Sequence, residues 1–207
     1  NDVPLTTNEF REAFCTYDAI FPTVTDKVDK EVFPEGNIRT RLIGNFGVGF
    51  NNIDIETAKK HGIVVTNTPD VLTDATADLA MSLILGIARR IGDGERHLRE
   101  GSWTGWRPTH MLGRHVTGKT LGIIGYGRIG QATAYRAHHG FNMNIKVYSR
   151  SQIAATVLAE NKAEQVQSLQ ELMPLSDFVS LHCPATLENR HLINKNTLKL
   201  MKSDAFL

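Results

Sequence analysis

The chain has 207 residues, 41% of them hydrophobic, and its 23 basic and 22 acidic residues leave a formal net charge of +1. This length suffices for one large or two small domains, and a nearly neutral chain favours neither nucleic acid nor an anionic membrane as a partner. The two cysteines, Cys15 and Cys183, show neither disulfide-dense nor metal-like spacing, which favours a cytoplasmic protein over a secreted one.

The first part of the chain, residues 1–76, has the pattern of a parallel α/β unit. Short apolar runs alternate with turn residues, and a charged, helix-forming segment that ends at Gly62 separates two of these runs. We predict strands in AIFPTV, TRLIGNFGVG and IVVTNTP, with a glycine turn closing the second, and a short helix in IDIETAKKHG. Strand, helix and strand in this order are typical of parallel sheets.

A long helix is predicted next, with Thr73 or Asp74 as its N-cap. The apolar residues that recur at helical spacing are Ala80, Leu83, Ile84, Ile87, Ala88 and Ile91. The apolar run 79–88 is too short to cross a bilayer and is followed directly by two arginines. We expect this helix, over residues 77–100, to bridge two domains.

A second α/β domain is predicted over residues 101–207, beginning with a loop that contains Trp103 and Trp106. The predicted elements are strands in TLGIIGYG, IKVYS and DFVSLHC, helices through Ala137 and in SLQELMPLS and NKNTLKLM, and the start of a strand in AFL. Their alternation is typical of a doubly wound parallel sheet of the Rossmann type.

The stretch GIIGYGRIG places Gly125, Gly127 and Gly130 after a β-branched strand and at the start of a helix. In a dinucleotide site the first glycine permits a tight turn, the second lets the backbone approach the pyrophosphate, and the third lets helix and strand pack closely. The helix N-terminus, at Arg128 and Ile129, offers N–H groups and a positive dipole end to the phosphates. Ordinary turns also contain this glycine pattern, but the strand before it and the helix and strand after it favour a dinucleotide site.

The next predicted strand, in NIKVYSRS, lacks the acidic residue that NAD sites place at its end. The chain has Ser149, Arg150 and Ser151 there instead. A guanidinium and two hydroxyls suit the 2′-phosphate of NADP, because arginine donates paired, charge-assisted hydrogen bonds to phosphate. We therefore predict NADP as the preferred cofactor. The alternative is NAD, with Arg150 stacked on the adenine.

Taken together, these motifs resemble the D-isomer-specific 2-hydroxyacid dehydrogenases, and within them the glyoxylate/hydroxypyruvate reductase branch. The matching stretches cover about residues 42–207: NFGVGFNNID, GIVVTNTPDVLTDATADLAMSLIL, GSWTGWRP, GKTLGIIGYGRIGQATA, DFVSLHCPAT and RHLINKNTLKLMKSDAFL. The resemblance implies a flavodoxin-like small domain that binds substrate and a Rossmann large domain, both incomplete in this chain. It also implies hydride transfer between a nicotinamide and a small 2-oxo or 2-hydroxy acid.

The resemblance also implies roles for residues outside the glycine motif. The glycine turn at Val48 and Gly49 would present backbone N–H groups to the substrate carboxylate, and Thr76 would contact the cofactor. The WTGW loop would form a homodimer interface, which would also cover two tryptophans that are costly to expose. The residues expected to wall the adenosine are His182, Cys183 and Pro184.

The family's catalytic arginine, glutamate and histidine are expected beyond Leu207, so no catalytic residue is assigned in this chain. None of the eight histidines is assigned a role in proton transfer, and no His, Cys and Asp spacing predicts a zinc site. Two alternatives stay open. One is a non-enzymatic, dinucleotide-binding interaction module of the corepressor kind, and the other is a dehydrogenase of the same family that acts on another 2-hydroxy acid.

Overall fold

The first part of the chain forms a three-stranded parallel sheet in the computed structural model, which describes residues 3–207. The strand order is β1-β2-β3, with β1 at Ala19–Ile20, β2 at Leu42–Gly44 and β3 at Val64–Thr66. The other elements are α1 (Thr7–Thr16), a 3-10 turn (Lys30–Val32) and α2 (Ile55–Lys60). Their buried side chains form one core, which includes Phe10, Phe14, Val28, Ile43 and Ile63.

The second sheet has four parallel strands in the order β6-β5-β4-β7. Their bounds are Thr120–Ile124 for β4, Asn144–Tyr148 for β5, Ala163–Val166 for β6 and Phe178–Leu181 for β7. The accompanying helices are α3 (Thr73–Ala88), α4 (Ile91–Arg99), α5 (Arg128–Phe141), α6 (Ala155–Ala159), α7 (Leu169–Leu175) and α8 (Lys195–Leu198). The strand order reverses at β4, because β5 pairs with one of its edges and β7 with the other. Such a reversal creates a ligand-binding crevice at the carboxyl ends of the strands.

Apolar clusters cover both faces of the second sheet. Successive side chains of a strand point to opposite faces, so Ile123 joins a cluster with Met81 of α3, whereas Ile124 joins another with Leu172 of α7. Both isoleucines are almost fully buried. The doubly wound parallel α/β architecture predicted from the sequence is thereby confirmed.

The chain divides into two compact units. One contains the residues up to Val71 together with Ala185–Leu187, and the other contains Leu72–Pro184 and Glu188–Leu207. The division at Leu72 precedes α3, whereas the boundary predicted after residue 76 falls inside that helix. The assignment of substrate and cofactor binding to separate domains stays a prediction.

Two helices, α3 and α4, occupy the segment in which one bridging helix over residues 77–100 was predicted. The helix ends because Arg90 adopts the left-handed conformation, with a φ of 55°. At the end of α3, the carbonyl of Ala88 accepts a hydrogen bond from the backbone N–H of Arg114, at 2.7 Å. The N-cap of α3 is Leu72, whose side chain makes no capping hydrogen bond, so neither Thr73 nor Asp74 acts as the N-cap.

No helix in residues 3–207 combines the length and apolarity needed to span a bilayer.

Besides the 3-10 turn, three regular elements were not predicted from the sequence: α1, α6 and β6. Strand β6 lies at the edge of the second sheet and pairs with β5 alone. Only its end residues, Ala163 and Val166, are buried, while Glu164 is exposed. A short edge strand with one charged residue has too weak an apolar pattern to stand out in the sequence.

Candidate functional site

The glycine turn between β4 and α5 is fixed by close backbone contacts. Gly125 has a φ of +93°, and a Cβ atom there would lie 2.7 Å from the backbone nitrogen of Cys183. A Cβ atom at Gly130 would overlap the carbonyl oxygen of Gly125. A side chain at either position would therefore collide with backbone atoms, so both positions require glycine.

The second glycine of the motif, Gly127, faces open space. A Cβ atom there would have no neighbour within 4 Å. Gly127 is also the N-cap of α5 and supplies no side-chain cap. The N–H groups in the first turn of a helix have no intrahelical acceptor, and with the positive dipole end they form a favourable phosphate site. Open space beside this helix end fits the pyrophosphate of a dinucleotide.

Tyr126 lies between Gly125 and Gly127, and two side chains hold it by hydrogen bonds. The Tyr126 hydroxyl accepts from Asn161 Nδ2 at 3.1 Å, and the Tyr126 carbonyl accepts from Gln131 Nε2 at 2.9 Å. Burial raises the pKa of the Tyr126 phenol, so it stays neutral at physiological pH. The glycine turn is therefore braced from both sides. Sequence reasoning missed this brace, because Asn161 lies far from the motif along the chain.

A cleft of about 260 Å³ opens at the carboxyl ends of β4, β5 and β7. Arg128 and Ile129 form the first turn of α5 beside it. The unpredicted residues in its lining include Tyr126, Tyr148, Asn189 and Leu192. The predicted residues that it brings together are Gly125, Gly127, Ser149, Arg150, Ser151, His182, Cys183 and Pro184.

Arg150 is held loosely in this cleft. Its Nη1 lies 3.6 Å from Oε2 of Glu188, and the two side chains are 60% and 73% exposed. An exposed pair at this distance contributes under about 1 kcal/mol, so a ligand anion can readily redirect the guanidinium. Glu188 was not predicted at the site, because nothing in the sequence around Arg150 indicates that a later loop brings a carboxylate there.

The backbone after β5 is held by Gln165 of β6. Its Nε2 donates to the carbonyl of Ser151 at 2.9 Å, and its Oε1 accepts from the N–H of Ile153, also at 2.9 Å. The strand missed in the sequence thus fixes the loop that carries the two serines and the arginine.

His182 forms part of the cleft wall at the end of β7. Its Nε2 lies 2.9 Å from the Ser180 hydroxyl, and its backbone N–H donates to the carbonyl of Ile124. Burial lowers the pKa of His182, so the imidazole is neutral at physiological pH. A neutral, anchored ring can shape the cleft but adds no charge for phosphate binding.

Thr76 is not brought into the cleft with the glycines. It lies in α3, where its hydroxyl donates to the carbonyl of Leu72 at 2.8 Å. It lines a separate apolar groove with Leu79 and Leu181, and this groove shares only His182 with the cleft. The cofactor contact predicted for Thr76 stays a prediction.

In the first unit, Val48 and Gly49 lie in the turn that follows β2. The neighbouring Asn45 is buried, and its Nδ2 donates to the carbonyl of Gly49 at 2.7 Å. Asn67 Nδ2 donates to the carbonyl of Val48 at 2.9 Å. The N–H groups of Val48 and Gly49 have no hydrogen-bond acceptor among the described residues, which leaves them available to a carboxylate.

Comparison with known proteins bears on both sites. The family model of the D-isomer specific 2-hydroxyacid dehydrogenase NAD binding domain matches residues 81–207. The chain belongs to this family.

Within residues 3–207, no three His, Cys, Asp or Glu side chains are grouped as a metal site requires.

Relatives of known name and structure support this membership. The glyoxylate reductase of Pyrococcus horikoshii is 52% identical over 92% of this chain and 57% of its own length. The TT0316 protein of Thermus thermophilus matches with a TM-score of 0.85 and 37% identity, over 97% of this chain and 61% of that one. D-lactate dehydrogenase of Aquifex aeolicus, complexed with NAD and lactic acid, matches with a TM-score of 0.80 and 30% identity, over 96% of this chain and 56% of that one.

The chain spans just over half the length of the glyoxylate reductases that it matches. The matched family domain contains the whole cleft, from Ile124 to Leu192, and α5. The turn at Val48 and Gly49 precedes that domain. The substrate-binding role predicted for this turn stays a prediction.

Proposed function

We propose that the protein reduces glyoxylate and hydroxypyruvate with NADPH, by hydride transfer to the carbonyl carbon of a small 2-oxo acid. The observation that carries the proposal is the cleft in which a glycine turn and an uncapped helix N-terminus meet Ser149, Arg150 and Ser151. Relatives named glyoxylate reductase, 52% and 50% identical, support the substrate class.

The bound nicotinamide supplies the hydride, and the residues of this chain supply binding and orientation. The turn at Gly125–Gly130 and the first turn of α5 hold the pyrophosphate. His182, Cys183 and Pro184 wall the adenosine. The amides of Val48 and Gly49 bind the substrate carboxylate. We further propose that the residues that transfer the proton follow Leu207 in the complete protein.

The choice of cofactor depends on Arg150 in this proposal. The adenosine 2′-phosphate of NADPH replaces Glu188 as the partner of the guanidinium, and Ser149 and Ser151 donate hydroxyl hydrogen bonds. Hydrogen bonds to charged groups contribute about 1.5–3 kcal/mol each. One or two of them favour NADPH over NADH by about tenfold to several hundredfold.

The test compares NADPH with NADH at equal concentration, with glyoxylate as substrate and the complete protein as enzyme. Initial rates and cofactor dissociation constants are measured for the wild type, for Arg150→Ala and for Arg41→Ala, an exposed arginine of the other unit. We expect a clear NADPH preference in the wild type and in Arg41→Ala. Arg150→Ala should lose it through weaker NADPH binding, with NADH binding unchanged.

Other results separate the parts of the proposal. Equal use of the two cofactors, or an unchanged preference in Arg150→Ala, would remove NADP specificity and leave the reductase. Rates higher with another 2-oxo acid would change the substrate. Tight cofactor binding without turnover of any 2-oxo acid would favour the non-enzymatic interaction module.

We also propose that the protein is a homodimer in which the segment after α4 forms the interface. Trp103 and Trp106 are 54% and 83% exposed, and Leu98 of α4 lies in the same apolar surface. The paired change Trp103→Ser and Trp106→Ser should convert the protein to a monomer in sedimentation experiments. A dimer that persists in this variant would refute the interface. The cytoplasmic location predicted from the sequence stays a prediction.

A further inference from the structure

Three successive carbonyl groups of the turn after β2, those of Gly47, Val48 and Gly49, accept hydrogen bonds from asparagine side chains. Asn45 Nδ2 donates to the carbonyl of Gly49 at 2.7 Å and, more weakly, to that of Gly47 at 3.4 Å. Asn67 Nδ2 donates to the carbonyl of Val48 at 2.9 Å. The Gly47 carbonyl also accepts from the backbone N–H of Thr68, at 3.1 Å. Side-chain amides therefore hold the peptide groups that follow Val48 and Gly49, and Asn45 and Thr68 share the one that follows Gly47.

Holding a carbonyl also fixes the direction of the next N–H group. In a trans peptide the C=O and the following N–H lie in one plane and point in opposite directions, and residues 3–207 contain no cis peptide bond. The bond from Asn67 thus directs the N–H group of Gly49, and the short bond from Asn45 directs that of Phe50. The N–H group of Val48 is directed by the weaker bond from Asn45 together with the backbone bond from Thr68. Among the described residues, none of these three N–H groups has an acceptor.

Asn45 cannot easily turn away from this arrangement. Its side chain is almost fully buried, at 1% exposure, and its Oδ1 accepts from Asn52 Nδ2 at 3.1 Å. Asn52 is fixed in turn, because its Nδ2 also donates to the carbonyls of Thr23 and Asp26, at 3.0 and 3.2 Å. Of the two polar groups of the Asn45 amide, only the NH₂ group can donate to the two carbonyls, while the oxygen accepts from Asn52. The hydrogen-bond network therefore determines which way the Asn45 amide is turned.

We propose that Asn45 and Asn67 are positioning residues for the substrate carboxylate. They contact no substrate atom. They hold the peptide planes of the turn so that its N–H groups are aimed before the substrate arrives, as preorganised donors require. This inference rests on the proposed function, in which the same turn binds the carboxylate of a 2-oxo acid.

The decisive variant is Asn67→Ala, because Asn67 is exposed and its removal leaves no buried cavity. One lost hydrogen bond of about 1 kcal/mol corresponds to about fivefold in affinity. We expect KM for glyoxylate in the complete protein to rise about fivefold, with kcat and the dissociation constant of NADPH within twofold of the wild type. Asn37→Ala, at an exposed asparagine of the same unit, serves as the control and should leave KM unchanged.

A second measurement separates this inference from the proposed function. Oxamate, an unreactive analogue of a 2-oxo acid, is titrated into the complete protein with bound cofactor while the amide resonances of Val48 and Gly49 are followed by NMR. Both resonances should shift in the wild type and in Asn67→Ala, with about fivefold weaker oxamate binding in the variant. Shifts with equal affinity in both proteins would overturn the positioning role alone. No shift in the wild type would overturn the carboxylate site itself and the positioning role with it.

A buried variant extends the test to Asn45. Asn45→Asp keeps the shape of the side chain but removes its donor group, and it should raise KM for glyoxylate more than Asn67→Ala does. Its thermal unfolding is measured in parallel. A folded Asn45→Asp protein with an unchanged KM would contradict the proposal for Asn45.

Discussion

Two glycine turns follow parallel strands in this chain, one after β2 and one after β4, and different parts of the protein hold them. The turn after β4 is held by its own backbone, because Gly125 and Gly130 allow strand, helix and the end of β7 to approach closely. The turn after β2 is held largely by side chains, the amides of Asn45 and Asn67, together with one bond from the backbone N–H of Thr68. Both turns present N–H groups to an anion in the proposed function. Added side-chain atoms should therefore disturb the turn after β4, whereas loss of the asparagine side chains should disturb the turn after β2.

The largest expected effect is that of Gly130→Ala. The added methyl group overlaps the carbonyl oxygen of Gly125, so α5 must move away from β4. Overpacking of this kind costs about 1–3 kcal/mol, occasionally more. We expect a lower free energy of unfolding in denaturant titration, with weaker cofactor binding as a consequence. A variant as stable as the wild type would show that the turn is less tightly packed than its geometry indicates.

Gly127→Ala should separate binding from stability in the same turn. The new methyl group meets no protein atom within 4 Å, but it occupies space that the proposed function assigns to the pyrophosphate. We expect an unchanged melting temperature and binding of both NADPH and NADH weakened by about tenfold or more. Gly140→Ala, in the last turn of α5 and also without a neighbour within 4 Å, is the matched control. Equal cofactor affinity in Gly127→Ala would argue against the pyrophosphate site.

Gly47→Ala tests the turn after β2 in the corresponding way. Its added methyl group meets the Cγ1 atom of Val24, a side-chain atom rather than backbone. Because Val24 is half exposed and can shift, the cost should be about 1 kcal/mol, less than that of Gly130→Ala. The double variant with Val24→Ala should recover the lost stability in the same denaturant titration. No recovery would mean that backbone packing also limits this turn.

The smallest expected effect concerns the charge beside the cofactor turn. Glu188→Gln removes an exposed partner of Arg150 worth about 0.2–1 kcal/mol, and it removes a negative charge near the proposed 2′-phosphate. We expect about threefold tighter NADPH binding with NADH unchanged, measured by nicotinamide fluorescence. Glu12→Gln, an exposed acid of the other unit, is the control. An equal gain for both cofactors would contradict a role for Glu188 in discriminating the phosphate.

The same contrast explains which parts of the molecule could be predicted from the sequence. The requirement for Gly125 and Gly130 is local and steric, so the glycine spacing between an apolar strand and a helix indicated the turn in advance. The brace of Tyr126 by Asn161 and the support of the other turn by Asn67 join residues far apart in the chain. Single-sequence patterns carry no signal for such pairs. Glu188 near Arg150 was missed for the same reason.

Element prediction failed where the apolar pattern was weak or was overridden. Strand β6 has only its two end residues buried, too few for a recognisable alternation. The apolar periodicity continued through Arg90 to Ile91 and predicted one helix, but Arg90 takes a left-handed conformation and the Ala88 carbonyl bonds to the distant Arg114. The left-handed conformation of Arg90 thus ends a helix that the apolar periodicity would have continued, and a residue from another part of the chain bonds to the carbonyl that is left free.

The side-chain-held turn has a consequence for how such a protein diverges over evolution. In the proposed function, Val48, Gly49 and Phe50 contribute backbone donors only, and two asparagines, one buried and one distant in sequence, hold those donors in place. The rings of Phe46 and Phe50 are exposed, at 73% and 51%. In the proposed function, a lineage can therefore exchange these two side chains while it inherits recognition of the carboxylate unchanged.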